Sequence, residues 1–267
     1  TDSLTCLGYP LTTTKIERRT MAKLLTTKQY KLDKSKKAGV LSAGIQLSPQ
    51  LEASRILKRS LPSTCPMSGH CAMACIKYTG RNQLPTSAIA RARKTALWYD
   101  DRETFLAQAI TELKAVQRRA ERQNMLAACR PNILSDLPIL AKSIATAIPS
   151  LQCYDYTKLR YPWKRQLANY HLTYSVSERS RKSDVLGAFA HGINCSVVVD
   201  IAKGEPIPST FTWQGITKPT IDGDLHDLRY LDPIGVYVLL RFKGSKARLA
   251  QAVKSDWLNT IAVIERI

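Results

Sequence analysis

The sequence predicts an α/β chain folded as a partial or complete (β/α) barrel, with a cysteine loop after the first strand. Three observations carry this expectation. Short β-branched runs alternate with stretches of helical periodicity, and five or six such strand–helix pairs follow one another. No GxGxxG opens a helix after the first strand, which removes the usual fingerprint of a dinucleotide-binding sheet, and GxxxxGK[ST] is absent as well. With 267 residues, 44% of them hydrophobic, the chain has enough apolar surface for one core without disulfide staples.

Residues 1–30 are expected as a poorly ordered N-terminal extension and 31–267 as a single barrel-like domain. The first twenty residues are polar, Thr-rich and aperiodic, and Met21 opens MAKLLTTKQYKL. VLSAGIQL (40–47) reads as the first strand. After the cysteine loop, 87–100 is helical, with an Ala-rich face and basic residues opposite. The clearest helix covers 101–123, where Phe105, Leu106, Ala109, Ile110, Leu113 and Val116 recur at intervals of three and four, as one buried face requires. Strand 125–129, helix 137–148 and strand 151–157 follow. Beyond a short basic segment come strand 170–176 and helix 184–192, which ends on a glycine. NCSVVVDI (194–201) is apolar along its length, as a buried parallel strand is. A strand at 236–242 and a closing helix at 246–257 complete the pattern.

Forty Lys and Arg against 21 Asp and Glu leave a formal charge of +19, with a pI near 9.8. That balance favours a polyanionic partner, nucleic acid above all. The basic residues gather at 31–37 (KLDKSKK), 91–94 (RARK), 118–122 (RRAER) and 179–182 (RSRK). No apolar run approaches the roughly 18 residues of a membrane span, and the N-terminus lacks the apolar stretch of a secretory signal. A cytoplasmic protein without membrane contact is expected.

Seven cysteines is an odd number, and three of them, Cys65, Cys71 and Cys75, fall within eleven residues. An odd, clustered set argues against a disulfide framework and for metal or redox chemistry. Thiolates are soft ligands for iron–sulfur clusters or zinc. Spacings of five and three residues, with Pro66 and Gly69 to bend the loop, let three sulfurs converge on one centre. Three protein ligands leave one position for a fourth residue, water or a bound cofactor. A [4Fe-4S] cluster is the first reading. Structural zinc is the alternative, with His70, Cys129 or Cys153 as a fourth ligand.

In a (β/α) barrel the C-terminal ends of the strands line the site. That rule points to Arg130, Asn132, Ser135 and Asp136 after the second strand, to Asp155, Tyr156 and Lys158 at the end of the third, and to Ser175, Ser177 and Glu178 after the fourth. IDGDLHDLRYLDP (221–233) adds Asp224 and His226 within a cluster of carboxylates able to hold a hard metal or do acid–base work. Asp136, Asp155, Lys158, Glu178, Asp224 and His226 are the catalytic candidates. Arg130, Asn132, Ser135, Tyr156 and Ser175 are the candidates for holding a cofactor. Asp136 is equally placed to cap the helix that follows it. His171 reads as a core histidine and His191 as serving a helix end. No GxSxG elbow supports serine hydrolysis.

Several segments resemble the phage gene product 88 domain family: KSKKAGVLSAGIQLSP (34–49), the CP…GHC…C loop, ARKTALWYDDRETFL (92–106), YDYTK (154–158), NYHLTYSVSE (169–178) and IDGDLHDLRYLDP (221–233). This resemblance implies a protein of phages or mobile elements, placed in the host cytoplasm, and carries little biochemistry. The family's RLNGTSD-like turn is replaced here by RPNILSD at 130–136. An early strand followed by a three-cysteine loop also resembles the layout of radical S-adenosylmethionine enzymes, although the spacing is Cx5Cx3C and not CxxxCxxC. That layout implies an enzyme with a cluster whose open iron binds S-adenosylmethionine, and a nucleic acid or nucleotide as its substrate would fit the charge. The competing expectation is a non-catalytic nucleic-acid-binding protein with structural zinc, and a third is an inactive scaffold.

Overall fold

The computed structural model describes residues 22–27, 30–73 and 75–254. Nine strands form one sheet: β1 (Leu25–Thr26), β2 (Val40–Ile45), β3 (Leu126–Arg130), β4 (Gln152–Thr157), β5 (Tyr170–Ser175), β6 (Cys195–Val199), β7 (Thr210–Trp213), β8 (Ile216–Asp222) and β9 (Tyr237–Arg241). Their order is β1-β2-β3-β4-β5-β6-β9-β8-β7. From β2 to β6 the strands run parallel in chain order, and β9 and β8 extend the parallel set. β1 joins β2 antiparallel at one edge, and β7 joins β8 antiparallel at the other.

Consecutive parallel strands in sequence order differ from the reversing order of a doubly wound sheet. Among the described residues, however, no ladder joins β1 to β7, so the sheet is open and no complete barrel forms. The connections show why. Between β4 and β5 the chain makes a short 3-10 turn (Pro162–Lys164) in place of a crossover helix. After β6 it makes the β7–β8 hairpin instead of another helix–strand unit.

The helices are α1 (Tyr30–Ser35), α2 (Glu52–Leu57), α3 (Pro85–Asp100), α4 (Arg102–Glu121), α5 (Pro138–Ala147), α6 (Lys182–Ala190) and α7 (Lys246–Lys254). α4 starts where the Asp101 carboxylate accepts the Thr104 N–H at 3.0 Å. It buries Phe105, Ala109, Leu113, Val116 and Ala120, one stripe at helical spacing. With α5, this stripe covers Ala43, Ile45, Cys129, Cys153 and Leu172 on one face of the sheet. α6 and the β7–β8 hairpin continue that layer over β5, β6 and β9.

The opposite face is polar. Ser42, Tyr154, Thr173 and Ser196 are buried there on alternate strand positions. Residues 223–232 lie across it as a strap, burying Asp227, Leu228 and Arg229, and Leu228 packs with Val40, Ala128 and Tyr154. This face, together with the C-terminal ends of the parallel strands, frames the site.

Of the segment expected as an extension, residues 22–27 carry the edge strand β1, with Leu24 buried in the core. Residues 1–21, with the Met21 start, lie outside the described residues, as do 255–257 of the closing helix.

Candidate functional site

A cavity of about 210 Å³ opens at the C-terminal ends of β3, β4, β5, β6 and β9. Cys65, Cys71 and Cys75 line it. So do Arg130, Asn132, Ser135 and Asp136 after β3, Tyr156 and Lys158 at the end of β4, Ser175 at the end of β5 and Asp224 beyond β8. Met67, Ile133, Leu134, Val198 and Leu240 make the rest of the lining largely apolar. Residues 90 and more apart in sequence meet here because parallel strands deliver all their C-terminal ends to one side.

The turn after β3 is built on a buried carboxylate. Asp155, 1% exposed, accepts hydrogen bonds from the Asn132 N–H (2.9 Å), the Asn132 Nδ2 amide (2.9 Å) and the Tyr170 hydroxyl (3.2 Å). Asn132 Oδ1 in turn accepts from the Ser135 hydroxyl at 2.7 Å and the Leu137 N–H at 3.0 Å. Asp155 therefore stands behind the cavity and shapes it without lining it. Burial pushes its carboxyl up to about 7. Asp136 does not cap α5, whose N-cap Leu137 makes no side-chain cap bond. Its carboxylate instead accepts from the Thr157 hydroxyl and the Lys158 N–H, each at 2.8 Å, and burial raises its pKa.

The same turn anchors the cysteine loop. Asp136 N–H donates to the Thr64 carbonyl at 2.8 Å, and the Cys65 thiol donates to the Leu134 carbonyl at 3.3 Å. On the loop's far side Glu178 Oε1 accepts the His70 N–H at 2.9 Å. Gly69 adopts φ +47°, and a Cβ there would run into the Glu178 carboxylate, so glycine is required at that bend. Glu178 thus latches the loop from outside the cavity lining.

The three thiols share one electrostatic neighbourhood: charge on Cys71 raises the pKa of both Cys65 and Cys75, and charge on Cys65 raises that of Cys75. Burial is the larger cause, pushing Cys65 to about 11 and Cys75 to about 12. As free thiols Cys65 and Cys75 stay protonated at neutral pH, and a bound cation is what would convert them to thiolate ligands. Among the described residues, no three His, Cys, Asp or Glu side chains gather tightly enough to grip a single ion. The three thiols are soft donors of the kind that iron–sulfur clusters and zinc both take, and they share one cavity.

Fourth ligands considered from the sequence fall elsewhere. Cys129 and Cys153 are fully buried on the helix-covered face, in the core with Leu140 and Ile144. His70 is exposed and does not line the cavity.

The acidic segment 221–233 does not assemble as a metal site among the described residues. Each of four carboxylates meets a cation: Asp222 meets Arg241 (2.7 Å), Asp224 meets Lys243 (2.7 Å), Asp227 meets Arg130 (2.8 Å) and Asp232 meets Arg229 (3.3 Å). His226 stands beside Arg229 and Asp232, away from the cavity. Arg241, Lys243 and Phe242 line the cavity and were missed in the sequence, although the strand-end rule applied to 236–242 would have found them.

Over residues 16–255 the chain matches the family described as Gene product 88. It belongs to that family. No curated protein and no solved structure matches this gene product 88 chain. Among its described residues, no helix is long and apolar enough to cross a membrane.

Proposed function

We propose that Cys65, Cys71 and Cys75 would hold an iron–sulfur cluster, a [4Fe-4S] centre, with one coordination position left to a co-ligand. On this reading the protein is an enzyme acting on a nucleic acid or nucleotide in the host cytoplasm. The observation that carries the proposal is that three cysteines of one loop line the same cavity as the strand-end polar groups. When bound, such a cluster supplies Lewis-acid and one-electron chemistry to a co-ligand, S-adenosylmethionine in the layout this loop resembles.

The chain's own groups have separate tasks. Lys158, whose ammonium donates to the Ser175 hydroxyl at 2.9 Å, offers positive charge to an anionic group. Arg130 Nε and the Tyr156 hydroxyl are buried with no hydrogen-bond partner among the described residues, and a ligand acceptor would satisfy them. Asp136, with its raised pKa, can hold a proton at the wall. Val198, Leu240 and Ile133 give the lining an apolar part. The formal charge of +19 supports a polyanionic substrate.

Single replacements of Cys65, Cys71 and Cys75 by Ala test the ligand assignment, with Cys195→Ala as the control. Cys195 is buried in the apolar core under α6. Each of the first three variants should lose most of its bound metal, and Cys195→Ala should retain it. Full metal retained in Cys71→Ala would mean that other residues bind it.

A further inference from the structure

We propose that residues 158–165, together with His191, form a stacking platform for single-stranded nucleic acid at the rim of the cavity. The inference rests on the reading of that cavity as a nucleic-acid site and deepens it by naming the form of the partner. KLRYPWKR (158–165) carries four basic residues and no acid. It begins at Lys158, inside the cavity lining, and leads outward across the surface.

Tyr161 is the central observation. Its backbone is left-handed, φ 58° and ψ 52°, a conformation costly for a bulky aromatic residue, and such strain gathers at ligand clamps. The strain does not bury the ring, which remains 49% exposed. The ring meets Trp163 in a T-shaped contact, with centroids 5.5 Å apart and planes at 84°, and the Lys164 ammonium lies over it, 5.3 Å from its centroid. Trp163 is seated against Gly187, where a Cβ would strike its ring, and stacks on His191 at 4.5 Å and 7°. His191 is itself exposed and fixed by Nδ1 against the Gly187 carbonyl at 2.8 Å.

A core role accounts for Trp163 but not for a strained, exposed tyrosine beside it. Rings flanked by cations are what unpaired bases recognise: each base stacks on an aromatic face while Lys and Arg follow the phosphates. Exposed Lys164 stands at Tyr161, and Arg181 and Lys182 are exposed at the start of α6, the helix against which Trp163 is seated. Duplex bases are already stacked on each other and have no face to give. An acidic protein would use the cations and leave Tyr161 without a role.

The test is fluorescence anisotropy of the full chain with a short labelled oligothymidylate, over a salt series. A duplex and heparin serve as competitors. Tyr161→Ala should weaken single-strand binding about tenfold or more with an unchanged salt slope. Lys164→Ala should reduce the slope by about one. Tyr161→Phe should bind as the parent does. Tyr161→Gly relieves the left-handed backbone, so it should melt no lower than the parent yet still lose affinity, which separates binding from folding. The platform is overturned if Tyr161→Ala and Tyr161→Gly bind as the parent does, or if duplex and heparin compete as well as the single strand. Running Cys71→Ala beside them separates the two readings. Metal lost with binding intact supports the platform, and binding lost in Cys71→Ala but not in the Tyr161 variants overturns it.

Discussion

Asp227→Ala is expected to lower the stability of the chain by about 3–5 kcal/mol, the range for breaking a buried ion pair by removing one partner. The Asp227 side chain is 1% exposed and meets the Arg130 guanidinium at 2.8 Å. Without it, Arg130 keeps its charge between Tyr156, whose ring lies 4.7 Å away, and the polar face of the sheet, with no carboxylate in reach of Nη1. The strap 223–232 would lose its main electrostatic hold on β3. Denaturant unfolding measures the loss. The double variant Arg130→Met/Asp227→Leu should recover most of it, because matched apolar replacement removes both desolvation penalties. A fall below about 1 kcal/mol in Asp227→Ala would show that the strap is held by its apolar contacts through Leu228 and Tyr230.

A comparable loss, about 3–5 kcal/mol, is expected for Asp155→Ala, because three donors lose their acceptor inside the protein. The loss should depend on pH in a defined direction. Burial raises the folded carboxyl to about 7, against about 3.9 in an unfolded chain. Above about pH 4 the unfolded chain gives up this proton while the folded one keeps it, so the group's stabilisation is full below about 4 and falls as pH rises to about 7. The penalty of Asp155→Ala should therefore be larger at pH 4 than at pH 8, and equal penalties would contradict the raised pKa. The variant should also loosen the 132–136 turn, which holds Cys65 through the Leu134 carbonyl, and so lower metal content.

The elements legible in the sequence are those long enough to show a period. α4 could be read from one apolar stripe, and the parallel strands from β-branched runs bounded by turns. β1, with two residues, and α1 and α2, with six each, are too short to carry a pattern. The β7–β8 hairpin did leave a signal: Gln214 and Gly215 take φ 45° and 77° between alternating strands, the pattern of a tight primed turn. Pro208, just before β7, and Pro219, inside β8, obscured it.

The strand-end rule brought Arg130, Asn132, Ser135, Asp136, Tyr156, Lys158 and Ser175 to one cavity with the three cysteines. The same rule could not separate Asp155, which points behind the wall, from its neighbours that line it. The acidic run at 221–233 looked like a metal or acid–base site because its neutralising partners Arg130 and Arg241 come from other strands. Charge density along a chain does not reveal where the counter-charges fold.

Elemental analysis of the full chain, purified without oxygen, tests the central claim most directly. The account predicts a brown protein with about four irons per chain and acid-labile sulfide in equal amount. Colourless protein with one zinc per chain, or with no metal, would contradict it.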